Sequence, residues 1–178
     1  VKNKSKNMYY MYRMVHLPEH KNLFKKYKMR WDITVIPPGK IDKEFTKTAG
    51  HHHKGVEVYE VLYGEALYIF QNKKQFLIYH AKAGTRVIVP YEYWHVTINY
   101  KNKLLIMANL MPEGVKSNYK DIKNKHGMAY FYVKGGKWIS NRDFEKLPKI
   151  NKLKAKKFKT PIYWEFVKNP KKFKLRRK

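Results

Sequence analysis

The sequence predicts an all-β sandwich or barrel on three observations. Short β-rich runs recur about every 8–12 residues, turn-forming residues separate them, and amphipathic helix patterns are nearly missing. At 178 residues the chain suits one domain. A hydrophobic content of 43% is enough for a core, and 15 tyrosines weight the composition toward strands.

Taken in order, MYYMYRMVHL (8–17) reads as a strand. WDITVI (31–36) is a second, stopped by Pro37, Pro38 and Gly39, where proline fixes φ and glycine relieves the next position. VEVYEVLY (56–63) and EALYIF (65–70) flank Gly64 and read as a hairpin. FLIYHA (76–81) and TRVIVP (85–90) are split by Ala83–Gly84, and YWHVTINY (93–100) and KLLIMANLM (103–111) by Lys101–Asn102. MAYFYV (128–133) and KWIS (137–140), joined by KGGK, read as another hairpin. A short helix is expected near 117–125, and PIYWEFV (161–167) as a strand or helix that docks on the body or on a partner.

Composition excludes several classes of function. With no cysteine there are no disulfides, no thiolate zinc sites and no thiol catalysis, so any metal must be held by His, Asp or Glu. No run approaches 18 consecutive apolar residues, and the N-terminal VKNKSKNMYYMYRM lacks the apolar stretch of a signal peptide. A cytoplasmic protein without membrane contact is expected. The net charge of +27 sits at the ends: +8 in residues 1–30 and +13 in residues 146–178, against +6 in the long middle. The change in composition marks residues 1–145 as the folded domain and 146–178 as a basic extension. Basic ends read as solvated tails, or as contacts for nucleic acid or an acidic partner. Without a recognised nucleic-acid-binding motif, solvated tails are the expectation.

Chemistry concentrates in His51, His52, His53, Glu57 and His95. Side chains alternate along a strand, so His51 and His53 share a face and His52 points away. Glu57 has the same parity if no bulge intervenes at Lys54–Gly55. His95 would present with Thr97 and Asn99 on a later strand. Three imidazoles and a carboxylate suit one divalent first-row metal ion, with Fe the first candidate and Mn, Ni, Co or Zn the others. His16, His20, His80 and His126 are isolated and read as ordinary surface or packing residues.

Gly50, His51, His53, Glu57, Tyr59 and Gly64, followed by Gly84, Pro90, His95 and Asn99, resemble the two-part cupin signature. The resemblance implies a double-stranded β-helix, a jelly-roll barrel with few short helices, here with basic terminal extensions. The stretch ITVIPPGKIDKEFTKTAGHHHKGVEVY resembles the archaeal cupin-type glucose-6-phosphate isomerases: a Thr-bearing strand, PGK, KEF, T-x-G-H-x-H, then EVY. AGTRVIVPYEYWHVTINY and ANLMPEGVKSNY continue it, over roughly residues 8–135 in all. It implies metal ligands at His51, His53, Glu57 and His95, and contacts to a phosphorylated sugar at Thr34, Thr48, Gly50, Tyr59 and Tyr119. Glu57 would be the catalytic base and Tyr59 would aid ring opening, in the interconversion of glucose 6-phosphate and fructose 6-phosphate. A homodimer built partly from N-terminal strands is also implied. The sequence departs from the family in a shorter N-terminal segment and in the basic C-terminal extension. A dioxygenase or a sugar epimerase on the same fold would want a similar ligand set, but need not carry Thr34, Thr48 and Tyr119. A storage-type cupin is disfavoured because all four ligand positions are filled.

Overall fold

A computed structural model describes residues 8–173. Along the chain the elements are β1 (Tyr10–Tyr12), α1 (Lys21–Tyr27), β2 (Met29–Ile36), β3 (Lys40–Ile41), β4 (Glu44–Phe45), β5 (Glu57–Tyr63), β6 (Glu65–Gln71), β7 (Gln75–Lys82), β8 (Thr85–Val89), β9 (Trp94–Ile98) and β10 (Leu105–Pro112). They continue as α2 (Lys120–Asn124), β11 (Tyr130–Val133), β12 (Lys137–Ser140), β13 (Lys149–Lys154), β14 (Lys156–Lys157) and α3 (Ile162–Lys168).

The strands form one sheet in the order β1-β2-β10-β5-β8-β14, a second in the order β13-β7-β6-β9, and a small third in the order β12-β11-β4-β3. The first two face each other across a core of Ile36, Tyr59, Val61, Tyr68, Phe70 and Leu105, drawn from both. This is the all-β cupin architecture expected from the sequence. Inward alternation is plain in β2, where Asp32, Thr34 and Ile36 are buried and the residues between them are not fully so.

Gly64 corrects one expectation. β5 and β6 do not pair as a hairpin, because β5 belongs to the first sheet and β6 to the second. The chain turns a corner between sheets at Gly64, whose φ is +83°. A Cβ there would lie 2.4 Å from the Leu104 carbonyl oxygen, so only glycine lets the corner close over β10. The KGGK hairpin does form, pairing Tyr130 with Ser140 and Val133 with Lys137, with Gly135 and Gly136 both at positive φ. The expected strand at 8–17 shrinks to Tyr10–Tyr12, and ends where Met14 takes φ 55° and gives its N–H to Asp32 at 2.9 Å.

The basic C-terminal segment is a second correction, since residues 149–173 are no solvated tail. β13 runs parallel to β7, pairing Lys149 with Gln75 through Lys154 with His80, and β14 pairs with β8. α3 then buries Ile162, Tyr163 and Phe166 against Phe24, Met29 and Leu110. Both basic ends extend past the described residues, at 1–7 and 174–178. Among the described residues no helix is long and apolar enough to cross a membrane.

A buried ion pair locks α3 down. Arg86 Nε lies 3.2 Å from Glu60 Oε1, with both side chains about 5% exposed or less. Arg86 Nη1 lies 3.1 Å from Glu165 Oε1, and Glu60 Oε2 accepts the Ile162 N–H at 2.9 Å. The Arg86 guanidinium also covers the Phe158 ring at 4.3 Å. Arg86→Leu leaves Glu60 buried without its cation, and we expect a loss of about 3–5 kcal/mol. Urea denaturation measures it; an unchanged midpoint would mean that the pair does not hold the segment.

Candidate metal centre and its cleft

The residues before β5 run as a strip beside β9. Asn99 donates its N–H to the Thr46 carbonyl at 2.9 Å, and Thr48 its N–H to the Thr97 carbonyl at 2.9 Å. His51 and His95 exchange both backbone bonds, at 3.3 and 2.8 Å. Lys47 thus faces Ile98 while His51 faces His95, so the strip carries one more residue than its partner between those bridges. That extra residue, at Ala49–Gly50, acts as a bulge and flips the parity of the residues beyond it. Thr48 and His51, of opposite parity, consequently line the same cleft.

Gly50 makes the bulge fit. A Cβ on it would meet Ile122 Cδ1 of α2 at 2.9 Å. Gly50 is not among the residues lining the cleft, and its evident role is to admit α2.

One ring nitrogen or carboxylate oxygen from each of His51, His53, Glu57 and His95 can be chosen so that all four lie within 4.8 Å of one another. His53 Nε2 is 2.9 Å from Glu57 Oε2, and His95 Nε2 is 3.5 Å from the same oxygen. His51 and His95 place their Nε2 atoms 3.0 Å apart. Each faces a backbone carbonyl through Nδ1, His51 that of Ala49 at 3.1 Å and His95 that of Tyr93 at 3.0 Å. Those bonds assign the proton to Nδ1, so in the neutral rings two lone pairs point at each other. Neither can donate to the other, and a cation between them would relieve the contact. His53 Nδ1 is buried and has no hydrogen-bond partner among the described residues. The donor set, the opposed lone pairs and the fixed tautomers fit a divalent metal ion.

The electrostatics agree with a neutral, ligating set of imidazoles. Burial pushes His95 down to about 3 and lowers His51 as well. Burial alone would raise Glu57, but the His53 hydrogen bond and the neighbouring His95 outweigh it and hold the carboxyl below its ordinary value. Burial, reinforced by the Glu57 carboxylate, keeps the Tyr59 phenol protonated far above its usual range.

His51 and Glu57 of the cluster border an open cleft. Its walls bring together Thr34, Thr48, His51, Glu57, Tyr59 and Tyr119. Thr48 Oγ1 accepts the Thr97 N–H at 3.0 Å, which leaves its own proton free to donate. Tyr59 stacks on Tyr68 at 5.2 Å. Tyr119, at the N-terminal edge of α2, holds its ring 5.1 Å from His51 and is 43% exposed. His52 turns away, as its parity predicts, toward Asp121 at 3.3 Å. Asn99 is occupied elsewhere, donating to the Ile36 and Lys103 carbonyls at 2.8 Å each and so closing the turn before β10.

Polar residues of the cleft that escaped the sequence reading include Arg13, Arg30, Asp32, Asn109 and Ser117. Counting back by twos from Thr34 along β2 would have found Asp32 and Arg30.

The family model described as "Glucose-6-phosphate isomerase (GPI)" matches residues 2–149. Proteins named glucose-6-phosphate isomerase from Thermococcus litoralis and Pyrococcus furiosus are each 32% identical to this chain, over 116 and 102 residues. Those matches cover 62% and 54% of this chain, and 60% and 53% of the relatives. The chain thus spans about three fifths or less of the length of the curated relatives it matches. Among solved structures, a 7S globulin of Momordica charantia superposes with a TM-score of 0.52 at 15% identity, covering 64% of this chain and 33% of that one. An oxalate oxidase in complex with the substrate analogue glycolate gives 0.50 at 15% identity, covering 64% and 56%. At such identities these two show a shared fold and nothing of the chemistry.

His95→Ala removes one donor and the lone-pair opposition with it. Bound metal, measured by elemental analysis after dialysis, should fall at least about tenfold in affinity. A full complement of metal would take His95 out of the centre.

Proposed function

The chain belongs to the glucose-6-phosphate isomerase family, and from that premise we propose that it is a metal-dependent aldose–ketose isomerase interconverting glucose 6-phosphate and fructose 6-phosphate. The observation that supports this most is the shared cleft. His51 and Glu57 of the His₃–Glu cluster line one space together with Thr34, Thr48, Tyr59 and Tyr119. We assign His51, His53, Glu57 and His95 as the ligands of one divalent cation, with Fe first and Mn, Ni, Co or Zn as alternatives. Such an ion supplies Lewis-acid polarisation of neighbouring sugar oxygens.

The chain's own groups supply the rest. The Tyr59 phenol, kept protonated, donates to the ring oxygen and helps the sugar open. Thr34, Thr48 and Tyr119 hold sugar and phosphate oxygens through hydroxyl donors. Isomerisation must then move hydrogen between C2 and C1. Glu57 could take it as a proton, but a carboxyl held below its ordinary value is a weak base. A direct hydride shift needs no base and leaves Glu57 to balance charge. Turnover in deuterated water separates the two, since deuterium enters the product carbon only by the proton route.

The homodimer implied by the family would use the edge of the first sheet. Tyr10, Met11 and Tyr12 of β1 are 47%, 39% and 56% exposed there. Tyr12→Lys should then sediment as a monomer, and an unchanged oligomer would place the contact elsewhere. A cytoplasmic location accompanies this reading, and cell fractionation checks it.

Activity should vanish on chelation and return with one of the five metals. No turnover by metal-loaded protein with any of them would sink the isomerase. Thr48→Val should raise KM for glucose 6-phosphate about tenfold with metal content intact; an unchanged KM removes Thr48 from the substrate contacts.

A further inference from the structure

The outer face of the second sheet is only half covered. Where the third sheet lies on it, Phe76 and Ile78 of β7 pack in a cluster with Tyr130, Tyr132 and Trp138. Side chains alternate along a strand, so the same face continues past that cover through His80 and Lys82 of β7. The register of β13 on β7 adds Lys152 opposite Ile78 and Lys154 opposite His80. His80, Lys82, Lys152 and Lys154 are all exposed.

A row of aromatic rings leads onto this open half. Phe45 stacks on Tyr132 with centroids 5.6 Å apart, Tyr132 meets Tyr100 at 6.2 Å, and Tyr100 meets His80 at 5.8 Å. Phe45 and Tyr100 are half-buried, with lysines beside them. Lys40 Nζ lies 5.3 Å from the centre of the Phe45 ring, and Lys101 Nζ lies 4.8 Å from that of Tyr100. These two rings and two lysines line one open hollow, which shares no residue with the cleft at the metal centre.

Charge on this face runs one way. Lys40, Lys82, Lys101, Lys152 and Lys154 are exposed around the row, and the carboxylate set among them is that of Glu65. Glu65 is already engaged, accepting the Tyr100 hydroxyl at 2.7 Å with Lys101 Nζ at 3.5 Å. Burial, and then the neighbouring Lys152, hold His80 below its ordinary value, so near neutral pH it offers a flat ring rather than a further charge.

Lysines alone would suit any polyanion. Rings set between them add faces on which planar groups stack, and the two together match the phosphates and bases of a single strand. In a duplex the bases are stacked on one another and their faces are closed to side chains. An acidic polypeptide would draw on the lysines and leave the rings idle.

We propose that this face of the second and third sheets binds single-stranded nucleic acid, with Phe45 and Tyr100 stacking on bases and the five lysines following the phosphates. The surface lies apart from the cleft, so it stands or falls independently of the isomerase reading.

Fluorescence anisotropy on the full chain tests this with three labelled probes: a short oligouridylate, an RNA duplex of equal length and a poly-glutamate peptide. Lys82→Gln/Lys152→Gln/Lys154→Gln should weaken oligouridylate binding about tenfold or more. It should also flatten the slope of log affinity against log salt by about 2, the share of three phosphate contacts on a single strand. Lys21→Gln/Lys25→Gln/Lys26→Gln removes the same charge from α1 and should stay within about twofold of wild type. All six lysines are exposed, so both variants keep the core intact. The oligouridylate should bind tighter than the duplex, although the duplex has the denser charge, because only unpaired bases reach the rings. Equal losses in the two variants would reduce the effect to bulk charge and overturn the site. A duplex bound as tightly as the single strand would overturn it as well. So would an oligouridylate that fails to bind near physiological salt, and poly-glutamate binding in its place would make the partner an acidic protein.

Discussion

Everything in the cleft depends on the backbone pairing between residues 46–51 and β9. That strip has no long run of strand hydrogen bonds of its own, and it is held at Thr46, Thr48 and His51. One extra residue at Ala49–Gly50 sets the register on either side of it. Thr48 and His51 therefore both face the cleft, which a regular strand would forbid. The same pairing brings His51 against His95, so one backbone irregularity serves hydroxyl and imidazole together. Gly50 leaves room for the Ile122 side chain of α2 to lean on the bulge. A side chain there would push α2, and with it Tyr119, away from the mouth of the cleft.

The cluster is assembled at an electrostatic cost that the fold absorbs. Three imidazoles and a carboxylate are buried or half-buried side by side, with rings His51 and His95 locked by the Ala49 and Tyr93 carbonyls. Locked rings cannot rotate to exchange a lone pair for a proton. The arrangement is preorganised for a positive charge and poorly suited to being without one. On β2 the logic is inverted, for there a positive group, Arg30, is set beside the Asp32 carboxylate.

How much of this is legible in the sequence varies with how local the signal is. Parity makes His51 and His53 legible and admits Glu57 if no bulge intervenes, while the meeting of all four with His95 is legible through the family resemblance. The all-β architecture is legible from the rhythm of strands and turns, and its jelly-roll form only from the resemblance of the two motifs to a known family. Gly64 misleads because a positive-φ glycine serves a hairpin and a corner between sheets equally well. What separates them is the Leu104 carbonyl, forty residues away. The bulge at Ala49–Gly50 is invisible for the same reason, since it exists only relative to β9. The basic C-terminal run reads as solvated because lysine usually marks a wet surface. Its lysines are indeed exposed on β13 and β14, while the backbone between them is pairing. Arg30 and Asp32 belong to no motif, and a charged residue on a strand reads by default as facing water. Only the period of β2, carried back from Thr34, turns them inward.

That pairing has a consequence for how the chain comes into being. β13 and β14 are border strands of the two large sheets, and lysine makes up much of both. Charged borders of this kind repel like neighbours and keep one molecule's strands from adding to another's. They also come later in the chain than the strands they cover. Until residues 149–157 emerge, β7 and β8 stand as bare rims with unpaired N–H and C=O groups, open to self-association. The strands β7 and β8 are thus made before the charged strands that shield them.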